Sequence, residues 1–222
     1  MGGRIFRRRA SAPTPLRYLV YLSDTKIDML LEQIPEPVRR RVATELKLDL
    51  KLISLTVTAG ESPLGRESRL AKLDLVERYL EQHHEIGSVS EPSGYFRGRL
   101  PMAWAPIGMP DPASGIAFFC GYEQRRLVAL GGSPAHLLGV GSADRGLGSH
   151  PFAIQAALNS AAGGADPMRL GDDLLAVAQE LYQTPQLVEF LARRITMAPL
   201  RDLAPGADYL LGTPLYVQVV DA

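Results

Sequence analysis

The apolar residues of the first fifty positions change period as the chain proceeds. Tyr18 to Leu22, "YLVYL", is a short run of aromatic and branched residues and reads as a buried strand. Beyond "SDTK" the apolar positions become Ile27, Leu30, Leu31 and Ile34, the i, i+3, i+4, i+7 spacing of one helix face. Ser23 or Asp24 is placed to cap that helix, its side-chain oxygen accepting a backbone N–H that has no partner in the first turn. Pro35 and Pro37 end it and open a second helix, carried by Val38, Val42 and Leu46. "KLDLKLISLTVT" then alternates, with a register change at Leu52–Ile53, and predicts a strand over Asp49–Thr58. A third helix follows on the stripe Leu70, Leu73, Val76 and Leu80.

The middle of the chain alternates with period two. "GYFRGRLPMAWAPIG" sets Phe96, Leu100, Met102 and Trp104 on one face and Tyr95, Arg97 and Arg99 on the other. Pro101 and Pro106 require an edge strand or a break, because proline gives a ladder no N–H. "IAFFCGY" and "RRLVALGG" flank the polar pair Glu123–Gln124 and predict an antiparallel meander with the preceding strand. Past Gly132, "SPAHLL" predicts a short helix and Gly139 to His150 a glycine-rich loop. Leu174, Val177, Ala178 and Leu181 make one helical stripe. Leu187, Val188, Leu191 and Ile195 make another, with Thr184 and Pro185 as its cap and first residue. "PLYVQVV" closes the chain as a strand that returns to the sheet. Without repeats or a long linker, the expected fold is one α+β domain over residues 17–222, a mainly antiparallel sheet with helices packed against it.

Composition narrows the setting. Formal net charge is zero, so no global field draws in nucleic acid. Arg4, Arg7, Arg8 and Arg9 form a local basic arm over residues 1–16, expected to be disordered for want of apolar surface. No stretch reaches the roughly 20 apolar residues of a membrane span. The first apolar run is also too short for the core of an export signal. Cys120 is the only cysteine and lies within an apolar strand, which makes it a small filler and rules out an internal disulfide. The expectation is a cytoplasmic protein that binds neither membrane nor nucleic acid and carries no cofactor. Arginine outnumbers lysine twenty to four, as in the products of GC-rich bacterial genomes.

Three stretches carry candidate chemistry. In "SDTK", Asp24 and Lys26 suit an acid–base pair after a strand, while capping by Ser23 and Asp24 explains the same residues structurally. In "LGGSPAHLLG", the backbone of Gly131, Gly132 and Ser133 can turn N–H groups toward an anion. Ser133 and His136 are there the residue types of a nucleophile and a base. No G-x-S-x-G elbow or phosphate-loop Gly-Lys-Ser/Thr surrounds them. Arg97 and Arg99 beside Tyr95, joined by Arg125 or Arg126, can grip a phosphate or carboxylate in bidentate fashion. One pocket bordered by Tyr95, Arg97, Arg99, Gly131, Gly132 and Ser133 is the predicted ligand site. His150, after the glycine-rich loop, is a further acid or base candidate. His83 falls on the apolar helix stripe, and its neighbour His84 points about 100° away, so the pair does not share a metal ion.

"RYLVYLSDTKIDMLLEQIP", "LVALGGSPAHLLG" and "LLGTPLYVQVV" resemble an uncharacterised family of actinobacterial proteins. The resemblance touches both ends and the middle of the chain and implies a single bacterial domain. It carries no activity. The expected function is a non-enzymatic module that binds a small, anionic molecule or a protein partner. The rival is a hydrolase or transferase with an acid–base or Ser/His site drawn from Asp24, Ser133, His136 and His150.

Overall fold

The computed structural model describes residues 17–49, 63–107, 115–138, 167–181, 184–200 and 205–221. The expected strand at Asp49–Thr58, the basic arm and His150 lie outside them, apart from Asp49 itself.

Strand β1 (Tyr18–Leu22) leads into helices α1 (Asp24–Gln33), α2 (Glu36–Leu46) and α3 (Pro63–His83). Strands β2 (Ile86–Ser88), β3 (Tyr95–Ile107), β4 (Ile116–Glu123) and β5 (Arg126–Gly132) follow, then a 3-10 turn at Pro134–His136. Helix α4 (Pro167–Leu181) precedes β6 (Gln186–Pro199) and β7 (Asp208–Val219). No helix among the described residues is long and apolar enough to cross a membrane.

The sheet is mixed and mostly antiparallel, and five of its strands close on themselves. β3 pairs with β4 through Met102–Ile107 and with β6 through Tyr95–Met102, so one long strand serves two neighbours. β4 pairs with β5, β5 runs parallel to β7, and β7 pairs antiparallel with β6. The circuit β3-β4-β5-β7-β6-β3 is a Greek-key barrel with the connectivity of the OB fold. β1 joins β7 antiparallel, and β2 adds to β3 in parallel. β2 covers residues 95–97 of β3 and β4 covers 102–107, so among the described residues no strand pairs with Gly98–Pro101 on that edge. Pro101 sits in this interval. Pro106 lies beyond the stretch paired to β6, so both prolines fall where one edge of β3 has no strand partner among the described residues.

Alternate residues of β4 feed two cores. Ala117 and Phe119 join Phe96, Met102, Leu130, Phe190 and Leu210. The ring of Phe96 comes within 2.7 Å of where a Cβ on Gly212 would stand. β3 and β7 are not paired, so that contact crosses the barrel and identifies this cluster as its interior. Phe118 and Cys120 point the other way, with Leu127 and Ala129, and α4 covers them with Leu174, Val177, Ala178 and Leu181. The third core lies under α1–α3, where Ile27, Leu31, Leu73, Val76 and Leu80 meet Leu191, Leu215 and Tyr216.

Three expectations need correction. Gln186–Pro199 is a strand rather than a helix. Val188, Phe190 and Ala192 face the barrel interior while Leu191 faces the helices. Apolar residues on both faces of a strand mimic a helical stripe, and tertiary pairing on both edges decides the outcome. Leu70 is 39% exposed, so the α3 stripe is narrower than its spacing implies. His83, which its place on the stripe predicts to be a core or boundary side chain, is exposed and stacks on Tyr79 with ring centroids 4.4 Å apart.

Candidate functional site

The structure separates the predicted pocket into two places. Tyr95, Arg97 and Arg99 lie on the outer face of β3, beside the C-terminal end of α3. An open groove of about 480 Å³ runs there, lined by Glu81, His84, Ser88, Arg97, Arg99 and Glu189 among others. Gly131, Gly132 and Ser133 do not line it. They end β5, where a Cβ on Gly132 would overlap the Tyr21 hydroxyl.

Arg97 is already committed within the groove. Its guanidinium donates to Glu77 at 2.6 Å and to Glu81 at 3.0 Å. Glu77 also accepts from Arg17 at 3.1 Å and from the Tyr216 hydroxyl at 3.0 Å. Burial and the neighbouring Glu77 raise the Tyr216 phenol above its ordinary range, so it stays a donor. This network pins α3 to the sheet, and Arg97 is part of the pin. Arg99 differs. It is exposed, donates once to the Asp221 carbonyl at 2.9 Å, and has no carboxylate within 4 Å among the described residues. Tyr95 is half-buried and meets the His84 ring edge-on at 5.8 Å.

Arg126 does not join Arg97 or Arg99. It forms a two-pronged ion pair with Asp208 at 2.7 and 2.6 Å and reaches the carbonyls of Val89 and Ser90. The hydrogen bonds to Asp208 hold its guanidinium charged, and the pair ties β5 to β7 where the barrel closes. Arg125 donates to the Pro205 carbonyl at 3.1 Å.

The second place joins two motifs that lie more than a hundred residues apart. The "SDTK" junction and the Ser133–His136 turn meet at the end of the barrel beside Tyr21. Thr25 Oγ1 and His136 Nε2 are 3.4 Å apart, and the His136 ring meets the Tyr21 ring edge-on at 5.9 Å. Burial lowers the His136 pKa, against the pull of Asp24 in the other direction. Asp24 pairs with Arg69 at 3.4 Å and Asp28 with Lys72 at 2.8 Å. Burial raises the Asp24 pKa and the Arg69 charge opposes it. Lys26 donates to the Pro214 carbonyl at 3.0 Å and lies over the Tyr21 ring, 5.8 Å from its centroid. Burial lowers its amine to about 8.

Capping is divided differently from the expectation. The Ser23 side chain makes no cap bond, being buried against Tyr21, and α1 begins at Asp24. Ser133 does cap its turn, accepting from the Ala135 N–H at 3.3 Å. Its hydroxyl is thereby turned into the turn's own backbone. The buried Tyr21 hydroxyl lies next to Ser23 and the Ser133 backbone without a hydrogen bond of good geometry to either, and burial pushes its pKa up to about 12.

Sequence reasoning missed Glu77 as a hub, although a carboxylate between Val76 and Leu80 on an apolar stripe was a visible signal. It also missed the Arg126–Asp208 pair, whose register across parallel strands no local pattern carries. Cys120 is buried, which pushes its thiol up to about 12 and agrees with a packing role. No group of three or more potential metal ligands occurs among the described residues.

No curated protein and no solved structure matches the chain. A family model matches residues 17–221, and on that match the chain belongs to the family of unknown function DUF7019.

Proposed function

We propose that the protein is a non-enzymatic module that binds a small polar molecule in the groove over β3. The observation that carries this reading is Arg99, a guanidinium with no carboxylate within 4 Å among the described residues, in an open groove of about 480 Å³. An anionic group of the ligand pairs with Arg99, while Glu81, His84 and Glu189, the last directly across from Arg99 on β6, give the groove its other polar lining. Arg97 is not the anchor, since its charge is spent on Glu77 and Glu81.

Two further features support binding over hydrolysis or nucleic-acid reading. The Ser133 hydroxyl caps a turn instead of facing His136. OB-type barrels that read oligonucleotides use an open face of their second and third strands. The corresponding strands here, β4 and β5, are buried on both faces.

The test is a thermal-shift panel of small carboxylates, phosphates and amino acids on wild type and Arg99→Ala. A ligand at a hundred times its Kd stabilises by about 2.7 kcal/mol. For a chain of this length that is a rise of roughly 5–10 °C. Arg99→Ala should fold normally and lose the shift. A ligand whose shift survives in Arg99→Ala would remove the groove from consideration.

A further inference from the structure

A cavity of about 550 Å³ opens where the β4–β5 turn meets the start of β7. Glu123, Gln124, Arg125, Arg126, Gly206 and Asp208 line it, and it shares no lining residue with the groove over β3. Most of its polar groups are already matched. Arg126 spends its guanidinium on Asp208 and on the carbonyls of Val89 and Ser90. Arg125 is exposed and donates to the Pro205 carbonyl. Glu123 is the exception. Its Oε2 is buried and accepts no hydrogen bond, and among the described residues no Lys, Arg or His nitrogen lies within 4 Å of the carboxylate. Burying a carboxylate oxygen without a donor is costly unless the donor comes from outside the chain. The neighbouring backbone is also held in an uncommon state. Gln124 has φ +54°, the left-handed region in which two-residue hairpin turns favour glycine or asparagine. The turn therefore carries a residue that lines the cavity in place of one that would relax the backbone.

We propose that this cavity binds a small molecule through a primary ammonium group, whose N–H donates to Glu123 Oε2. An ammonium supplies both things the carboxylate lacks, a hydrogen-bond donor and a positive charge. A primary amine is required, because a quaternary one brings the charge without an N–H. The ligand carries a single positive charge: Arg126 and Asp208 neutralise each other, and the guanidinium of Arg125 repels a second cation. Gln124 and Ser90 give the rest of the molecule polar partners. The site is separate from the groove over β3 and does not depend on it.

The probe is ethanolamine hydrochloride, titrated at pH 7 into the full chain and followed by amide NMR shifts against a sodium chloride blank. The shifts should saturate and concentrate at Gln124, Arg125 and Gly206, with Ser88 and Arg99 unmoved. Choline, the quaternary analogue, should bind at least about tenfold more weakly, since it cannot make the charge-assisted hydrogen bond. Glu123→Gln should lose about tenfold or more in ethanolamine affinity, while Arg99→Ala should bind as wild type does. Without ligand, Glu123→Gln should unfold in urea at a midpoint no lower than that of wild type, because a neutral amide costs less to bury than a carboxylate. Three results would each overturn the proposal: no shift beyond the salt blank, choline bound as tightly as ethanolamine, or affinity unchanged in Glu123→Gln. A lower urea midpoint in Glu123→Gln would do the same, by giving the carboxylate a structural role. The choline comparison is made on wild type and decides the matter even if the variant does not fold.

Discussion

Glu77→Gln tests whether the charge network under α3 holds the helix layer to the barrel. The substitution keeps the shape of the side chain and one acceptor oxygen, and it removes the charge. In the native protein the Glu77 side chain is 11% exposed and accepts from Arg17, Arg97 and Tyr216 at 3.1, 2.6 and 3.0 Å. Hydrogen bonds to a charged partner contribute about 1.5–3 kcal/mol, against about 0.5–1.5 for neutral ones. Two arginine bonds therefore lose roughly 1 kcal/mol each. The side chains of Arg17 and Arg97 are 31% and 36% exposed, so water recovers part of their solvation. The amide also presents an N–H to one of the former donors, which adds back a cost.

The net expectation is a loss of about 2 kcal/mol, or roughly 4–8 °C in Tm for a domain of this size. Urea unfolding followed by circular dichroism reads it as a lower midpoint with an unchanged slope. Glu81→Gln is the control. Its side chain is 34% exposed and bonds to Arg97 at 3.0 Å from the helix surface, so its loss should stay below about 0.5 kcal/mol. If Glu77→Gln were no more destabilising than Glu81→Gln, the network would be ornament, and apolar packing alone would hold α3.

Three other outcomes follow from the same structure. Gly132→Ala should destabilise by about 1–3 kcal/mol, because the new methyl overlaps the Tyr21 hydroxyl and meets the ring Cζ at 2.8 Å, and adding Tyr21→Phe should restore part of the loss, the ring carbon still crowding the methyl; no rescue at all would place the strain elsewhere. Lys26 has an amine at about 8 when folded and at 10.5 by default when unfolded, so between these values the unfolded chain holds the extra proton and stability rises with pH. Wild type should therefore gain about 1–2 kcal/mol on Lys26→Arg between pH 8 and 10.5, after allowance for solvent screening, and parallel pH curves would contradict the lowered amine. Arg126→Lys should cost about 1–2 kcal/mol by losing the two-pronged grip on Asp208, read as a lower urea midpoint; an unchanged midpoint would mean that barrel closure does not need it.

What the sequence discloses depends on how many faces of an element meet solvent. α1 and α4 each bury one stripe, and their apolar spacing alone locates Ile27, Leu31, Leu174 and Leu181 in the core. β3 alternates legibly because Arg97 and Arg99 face outward between Phe96, Leu100 and Met102. β6 does not, since the barrel lies on one side of it and helices on the other, and filled positions on both sides hide the period of two. Barrel closure was hidden for a related reason. It depends on which edges β3, β6 and β7 share, and edge pairing is fixed by register across residues far apart in the chain. The candidate site divides along the same line. Ser133 as a cap could be read locally, because the cap and the N–H it binds are two residues apart. The fate of Arg97 could not, because the carboxylates that neutralise it are 16 and 20 residues away on another element. A charged residue's type and strand face can be read from local pattern, but its availability to a ligand depends on partners that only the fold supplies. Arg97 and Arg99 share their chemistry and their strand face, yet the first meets Glu77 and Glu81 while the second has no carboxylate within 4 Å among the described residues.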